Sequence, residues 1–457
     1  MLWHAFGTYS GRNVFCMKRI LMIFTAGVMV LSSLAQTMTM EECMAYAVEH
    51  SLSVGRQELN LDNAKMNYRE SIASLFPSVS AGVSASTNFG RSIDPETNNY
   101  TTVSTFSNSY SLSASMPIFA GLRYVNTIRA AKVARERGYS DLQIARDKVA
   151  MEVMKAYIDV LYYKGTVEIA AEHLEASRMQ LRQAETLFEC GRKSRAEVAE
   201  VAAQEANYDY LLTEQQNNLA MAWIKLREVM NYPQDARLDV IELEGIAMPG
   251  GMANEDEVVK FALANNVQVV SSELAVKEYE LHYKRAKGAW FPTISLSAGI
   301  STNYFTGFDS KVSYPSFSSQ FNNNMGEYVG VSISIPIFSN LSRKASVRTS
   351  RNALRNAELE MAATRSAVES DVVQACRRMV GYSKQYNLAV RKVEASRLAY
   401  DGIVAKFGEG LVTAIELQNA STTLLQAKSE CLSSRLQYII EKRMVDYYCG
   451  APFVAVE

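Results

Sequence analysis

The chain has 457 residues, enough for two or three domains, with 47 basic against 48 acidic side chains and a net charge of −1. That balance leaves no basic field for nucleic acid. The four histidines, at positions 4, 50, 173 and 282, lie in unrelated segments, and no zinc-helix, phosphate-loop or nucleophile-elbow motif accompanies them.

The N-terminus reads as an export signal. Met17-Lys18-Arg19 is a basic start, Ile20 to Leu34 is mostly apolar, and Ser33-Leu34-Ala35 places small residues where a signal peptidase reads. The apolar run is too short for a membrane anchor, which needs about 20 residues. Residues 1–35 are therefore expected to be a signal peptide, with Met17 as the true start. Five cysteines follow it: Cys43, Cys190, Cys376, Cys431 and Cys449. Their spacings match no metal motif, and Cys376 and Cys431 would sit ~20 Å apart along a helical hairpin. Buried free thiols are expected, with no disulfide, metal or cofactor.

Thr39-Met40-Glu41-Glu42 is a capping box opening a short helix to about His50. A second helix is predicted from Gly55 to about Leu75, stopped by Pro77. Strict alternation follows, with Val79, Ala81, Val83 and Ala85 on one face and serines and Gly82 on the other. Residues 89–106 read as a polar loop. Alternation resumes with Tyr110, Leu112, Ala114 and Met116 against four serines, and Pro117-Ile118-Phe119 ends that strand.

From Gly121 to Phe188 the pattern changes to a period of 3.5. The seam Val149, Val153, Ala156, Val160, Tyr163, Val167, Ala170, Leu174, Ser177, Leu181, Ala184 and Phe188 predicts one helix roughly 100 Å long. Phe188-Glu189-Cys190-Gly191 then turns, and Ser194-x-x-Glu197 opens a return helix to about Met230. Residues 232–253, with Pro233, Pro249, Gly250 and Gly251, read as a linker.

The second half repeats this layout. Asn254-x-x-Glu257 is a further capping box, a helix runs from about Gln268 to Trp290, and Phe291-Pro292 matches Phe76-Pro77. One strand carries Ile294, Leu296, Ala298 and Ile300, and the other Val329, Val331, Ile333 and Ile335, around a polar loop at 303–326. The long seam returns 219 positions on, from Val368 to Phe407. Phe407-Gly408-Glu409-Gly410 turns, and Thr413-x-x-Glu416 opens a return helix to about Tyr448. The chain is thus an internal duplication, with repeats over 36–245 and 246–457.

Four strands of about ten residues, each apolar on one face and serine-rich on the other, suit a membrane barrel. Four cannot close one, because small membrane barrels need about eight, and open edges are not tolerated in lipid. Several copies must therefore share a barrel. Two copies give eight strands and three give twelve; the count does not choose.

Here the sequence resembles the TolC-like outer-membrane efflux protein family, over nearly all of the chain after residue 35. The resemblance rests on the duplication, the Phe-Pro and Pro-Ile-Phe strand ends and the tips, most specifically Lys406 through Leu424. It implies a fold of mixed α and membrane β. A homotrimer would share a 12-stranded β-barrel, four strands per chain, continued by a long α-helical periplasmic barrel. It also implies docking through the tips, at Phe188, Gly191, Arg192, Phe407, Gly410 and Leu411, onto a periplasmic adaptor (a membrane fusion protein). The adaptor joins the channel to an inner-membrane transporter, as in tripartite efflux or type I secretion. In one member of the family, acidic positions after the second tip ring the closed tunnel end; Glu416 and Asn419 stand there, and Glu197 is the counterpart of Glu416 in the first half. Asn419 replaces an acid, and Val412 replaces an arginine of that member's gate, which argues against the same salt-bridge gate. Capping alone also accounts for Glu416 and Glu197. A periplasmic coiled-coil adaptor or scaffold shares the hairpins but needs no serine-faced strands. Against an enzyme stands the lack of any catalytic constellation.

Overall fold

The computed structural model describes residues 36–93, 98–102, 104–234, 238–242, 254–308 and 313–454. The expected signal peptide and most of the expected linker lie outside them. In chain order the elements are β1 (Gln36–Met38), α1 (Met40–His50), α2 (Leu52–Ala73), β2 (Ser78–Asn88), β3 (Arg91–Ile93), β4 (Tyr100–Thr102) and β5 (Thr105–Phe119). Then come α3 (Arg123–Glu189), α4 (Arg195–Met230), β6 (Leu238–Val240), α5 (Glu255–Asn265), α6 (Val267–Gly288), β7 (Thr293–Gly307), α7 (Phe317–Asn323), β8 (Gly326–Ser334), α8 (Ser342–Gly408) and α9 (Ala414–Tyr448). Helices α3 and α8 each have 67 residues, and their first residues are 219 positions apart, the offset of the sequence repeat.

Two compact units result. One comprises Arg56–Gln143 and Ala264–Val368 and holds the strands. Its sheet is antiparallel throughout, in the order β2-β5-β7-β8. The register puts serine opposite serine. Ser80 meets Ser113 at 3.0 Å, Ser84 meets Ser109 at 2.6 Å and Ser86 meets Ser107 at 2.8 Å, hydroxyl to hydroxyl. The ladder continues through Ser111↔Ser301 and Ser115↔Ser297 to Ser295↔Ser332. The other face reads Val79↔Ala114↔Ala298↔Val329, with Ile294↔Ile333 beside it. Val79, Val83, Val329, Val331 and Ile333 are all more than 60% exposed on this face. In water each such side chain forgoes about 1.5–3 kcal/mol of burial. β2 and β8 are both edge strands.

The ends of these strands depart from the sequence expectation. Pro117-Ile118-Phe119 does end its strand, since β5 stops at Phe119, and the departure there is a bulge between Pro117 and Phe119, where a residue without an N–H is tolerated. The expected loop at 89–106 contains the β3–β4 hairpin and the start of β5. The expected loop at 303–326 contains the end of β7 and helix α7. Ser316 caps α7, and Gln320 anchors it by donating to the Phe305 carbonyl at 2.8 Å and accepting from the Phe305 N–H at 3.0 Å. Phe317 and Phe321 stack edge-on against Tyr110, on the apolar face.

The other unit runs through Ile144–Leu263 and Glu369–Glu457, with the segment up to Gly55. Its core follows the first seam: Val149, Val153, Ala156, Val160, Ala170, Leu174, Ser177 and Ala184 are buried. The expected linker at 232–253 contains β6, which pairs parallel with β1, Gln36 opposite Leu238. Tyr157 fastens this pair to α3, its hydroxyl facing the Met38 carbonyl at 3.1 Å and the Ile241 carbonyl at 2.7 Å. The Thr39 capping box is present in both directions. At Asn254 the box is incomplete: its side chain accepts from the Asp256 N–H at 3.3 Å, and Glu257 takes the Asn254 side-chain amide instead of the backbone. The five cysteines are free, but only Cys43 and Cys376 are buried; Cys190 and Cys449 are exposed, which corrects the expectation for them.

Candidate docking tips and the polar junction behind them

Both long helices stop in the same way, and glycine is the reason. Gly191 and Gly410 have φ of +71° and +72°, a left-handed conformation that side chains with a Cβ resist. With glycine there, the Arg192 N–H reaches back to the Leu187 carbonyl at 2.9 Å and the Gly191 N–H to Phe188 at 2.9 Å. At the second tip, the Leu411 N–H bonds Lys406 and the Gly410 N–H bonds Phe407, both at 3.0 Å. Each is a Schellman closure, which satisfies the last carbonyls of the helix. Each return helix then opens on a full capping box. The Ser194 N–H donates to Glu197 at 2.8 Å and the Thr413 N–H to Glu416 at 3.1 Å, and the hydroxyls return the bond.

The side chains on these matching turns differ. Phe188 is 45% exposed, whereas Phe407 is 1% exposed, packed among Ala184, Val201, Ala414 and Leu417. The expectation that both phenylalanines are docking groups is corrected for Phe407. It is the floor of the tip, and the exposed groups are Phe188, Gly191, Arg192, Gly410 and Leu411. Two cations of the first tip reach over to the second. The Arg192 guanidinium donates to the Glu409 carbonyl at 3.1 Å. Lys193, nearly buried, holds its ammonium 3.9 Å from the centre of the Phe407 ring and 3.5 Å from a Glu197 carboxylate oxygen. Such a cation–π contact, drawn out of water, is worth about 2 kcal/mol. Residue order does not reveal this role for Lys193, because a lysine beside an N-cap has no motif and its aromatic partner lies 214 residues on.

Glu416 is exposed and Glu197 half-buried, and the carboxylates of both are committed to their caps. The Ser194 N–H and hydroxyl hold the Glu197 carboxyl below its usual range, with Lys193 assisting. Asn419 is exposed on α9, and its carbonyl accepts from the Thr423 hydroxyl at 2.8 Å.

Behind the tips a polar junction sits within the apolar seam. Ser421 of α9 receives the Tyr208 hydroxyl of α4 at 2.7 Å and lies 3.2 Å from His173 Nδ1 of α3. Gln180 of α3 donates to the Tyr400 hydroxyl of α8 at 2.7 Å. His173 Nε2 and the Ser177 hydroxyl, one helical turn apart, are buried without a partner among the described residues. Burial, and then the nearby Lys428 ammonium, push the His173 pKa down to about 4. The imidazole is therefore neutral at physiological pH. No group of three or more metal-ligating side chains occurs among the described residues.

A family model for outer membrane efflux proteins matches residues 45–232 and 258–450, covering both hairpins and all four long strands. The chain belongs to the outer membrane efflux protein family. Among curated members of this family it is 24% identical to outer membrane protein TolC of Escherichia coli (strain K12), over 73% of this chain and 68% of that one. It is 23% identical to outer membrane efflux protein BepC of Brucella suis biovar 1 (strain 1330), over 86% and 81%. Among solved structures, the outer membrane protein VceC of Vibrio cholerae superposes with a TM-score of 0.78 at 14% identity, covering 91% of this chain and 96% of that one. This outer membrane efflux protein therefore works in the outer membrane and extends into the periplasm. No helix among the described residues is long and apolar enough to cross a membrane.

Proposed function

We propose that three copies of the chain form a channel-tunnel, with a shared 12-stranded barrel in the membrane and a helical barrel below it. It would be the passive exit duct of a tripartite efflux or type I secretion system. The single observation that carries this reading is the four-stranded sheet. Its apolar face is exposed, its serine face pairs hydroxyls between β2 and β5, and both of its edges are open. A trimer supplies each edge with a neighbour, lipid covers the apolar face and water the serine face. The repeats at 36–245 and 246–457 are the two halves each copy contributes.

Native mass spectrometry of detergent-extracted protein tests this. A trimer is expected, and a stable monomer that still conducts ions in a planar bilayer would overturn it.

The exposed tip groups Phe188, Gly191, Arg192, Gly410 and Leu411 are the surface offered to a periplasmic adaptor, and through it to an inner-membrane transporter. A Gly410→Trp chain should insert as a trimer yet lose adaptor crosslinking and export. Normal export by that variant would remove this tip from the docking surface. Glu416, with Asn419 and Glu197, is the proposed constriction of the tunnel end. Replacing Glu416 with Gln should then raise basal conductance. Unchanged conductance with some loss of thermal stability would leave it a capping residue only.

A further inference from the structure

The passage from β5 into α3 brings two arginines together. Gly121 and Leu122 both have left-handed φ, 61° and 63°. A Cβ on Gly121 would stand 2.3 Å from the Gly288 carbonyl oxygen. A Cβ on Gly288 would stand 2.5 Å from the Gly121 oxygen and 2.7 Å from Cγ of Arg123. Two facing glycines thus let the start of α3 lie against the last turn of α6, and the stem of Arg123 crosses the bare backbone of Gly288. This places Arg123 and Arg285 on the walls of one cleft of about 550 Å³.

The cleft is cationic and has no internal counter-charge. Neither guanidinium has an ion pair or hydrogen bond among the described residues, and no Asp or Glu lines the cleft. Tyr124, Thr127, Ser346 and Ser350 also line it, the Thr127 hydroxyl donating to the Arg123 carbonyl at 2.9 Å. Helix α3 begins beside it with no acidic residue in the first turn, so its positive end adds to the field. Both arginines are exposed, so their guanidinium groups can meet an anion from solution, and no acid in the lining competes for them.

Thr293 and Ser295 of β7 line the cleft from the serine face of the sheet, with Ile294 between them from the apolar face. In the channel reading the serine face meets the water-filled lumen. The inference rests on that reading for this point alone.

We propose that the cleft is an oxyanion-binding station in the channel wall, where Arg123 and Arg285 receive a carboxylate or phosphate group of a passing solute. A guanidinium presents parallel donors that match either group in bidentate fashion. Phe119, Ala286 and Ala289 on the same walls would take an apolar portion beside the charge, so the matching solute is an amphiphilic organic anion.

The test uses the detergent-extracted full chain with inorganic phosphate as the probe, read by phosphorus NMR line broadening, and acetate as the carboxylate competitor. Wild type should broaden the phosphate line, and acetate should reverse it. The Arg123→Gln/Arg285→Gln pair should bind at least tenfold more weakly while matching wild type in helical circular dichroism and assembly mass. Should that pair misfold, Arg123→Lys/Arg285→Lys keeps the charge and loses the fork, and should bind several-fold more weakly. Phosphate broadening that is absent in wild type, or unchanged in the correctly folded variant, overturns the proposal. A wild type that conducts ions but ignores phosphate sinks only this inference; one that binds phosphate but forms no channel sinks the channel reading.

Discussion

The first hairpin, α3 with α4, and the second, α8 with α9, share a turn and differ in what they bury. The seam of α3 is buried along most of its length and ends in the exposed Phe188. Helix α8 carries the same seam, leaves Leu388 and Leu398 exposed nearby, and ends in the buried Phe407. The backbones of the tips are nearly superimposable in φ and hydrogen bonding, yet the first tip supplies the reaching cations, Arg192 and Lys193, and the second receives them. Where the first half has Lys193, the second has Val412, which packs into the apolar cluster around Phe407. The same backbone turn serves both hairpins, and single side chains divide the labour between them.

The two phenylalanines should show the widest gap between the hairpins. Phe407→Ala should cost about 3–5 kcal/mol through the cavity it leaves, whereas Phe188→Ala should stay within about 0.5 kcal/mol. Thermal unfolding followed by helical circular dichroism separates the two, and equal shifts would show that the tips are equivalent after all.

Next in size is the tie between hairpins at His173. Its folded pKa, about 4, lies below the ordinary 6.5, so the unfolded chain binds the proton first. Stability from the neutral imidazole is complete above about pH 6.5 and is lost as pH falls towards 4, by up to about 3 kcal/mol. Denaturant midpoints measured across that window should fall for wild type and stay flatter for His173→Gln.

A smaller change sharpens the division of labour. Lys193→Met keeps the packing stem and removes the charge over Phe407, and should cost about 1–2 kcal/mol; no change at all would reduce the contact to coincidence. Smallest is the effect of the backbone conformation that the tips share. Gly191→Ala and Gly410→Ala should each cost about 1 kcal/mol, and by the same amount, because their φ values agree.

Much of the architecture was legible from residue order alone. Both tips carry glycine three positions after phenylalanine and a hydroxyl followed by glutamate, and those letters act through local hydrogen bonds. The strands were legible for the same reason, since alternation has a period of two. What escaped is what depends on distant partners. The burial of Phe407 depends on Ala184, Val201 and Lys193 of the other hairpin. Strands β1 and β6 are three residues each, too short for a pattern. Helix α7 hid inside a polar loop because it is held by Gln320 and two aromatic rings instead of by a periodic face. The Arg123–Arg285 cleft depends on two glycines that meet only in the folded chain.

The parallel pair β1–β6 also bears on the order of events during synthesis. Gln36 waits for Leu238, 202 residues later, and the Tyr157 hydroxyl cannot be placed until both have arrived. A contact of such separation forms late and slowly. The leading strand of the described chain therefore cannot lock until residue 240 is available, and everything between must already be in place to bring the two ends of that span together.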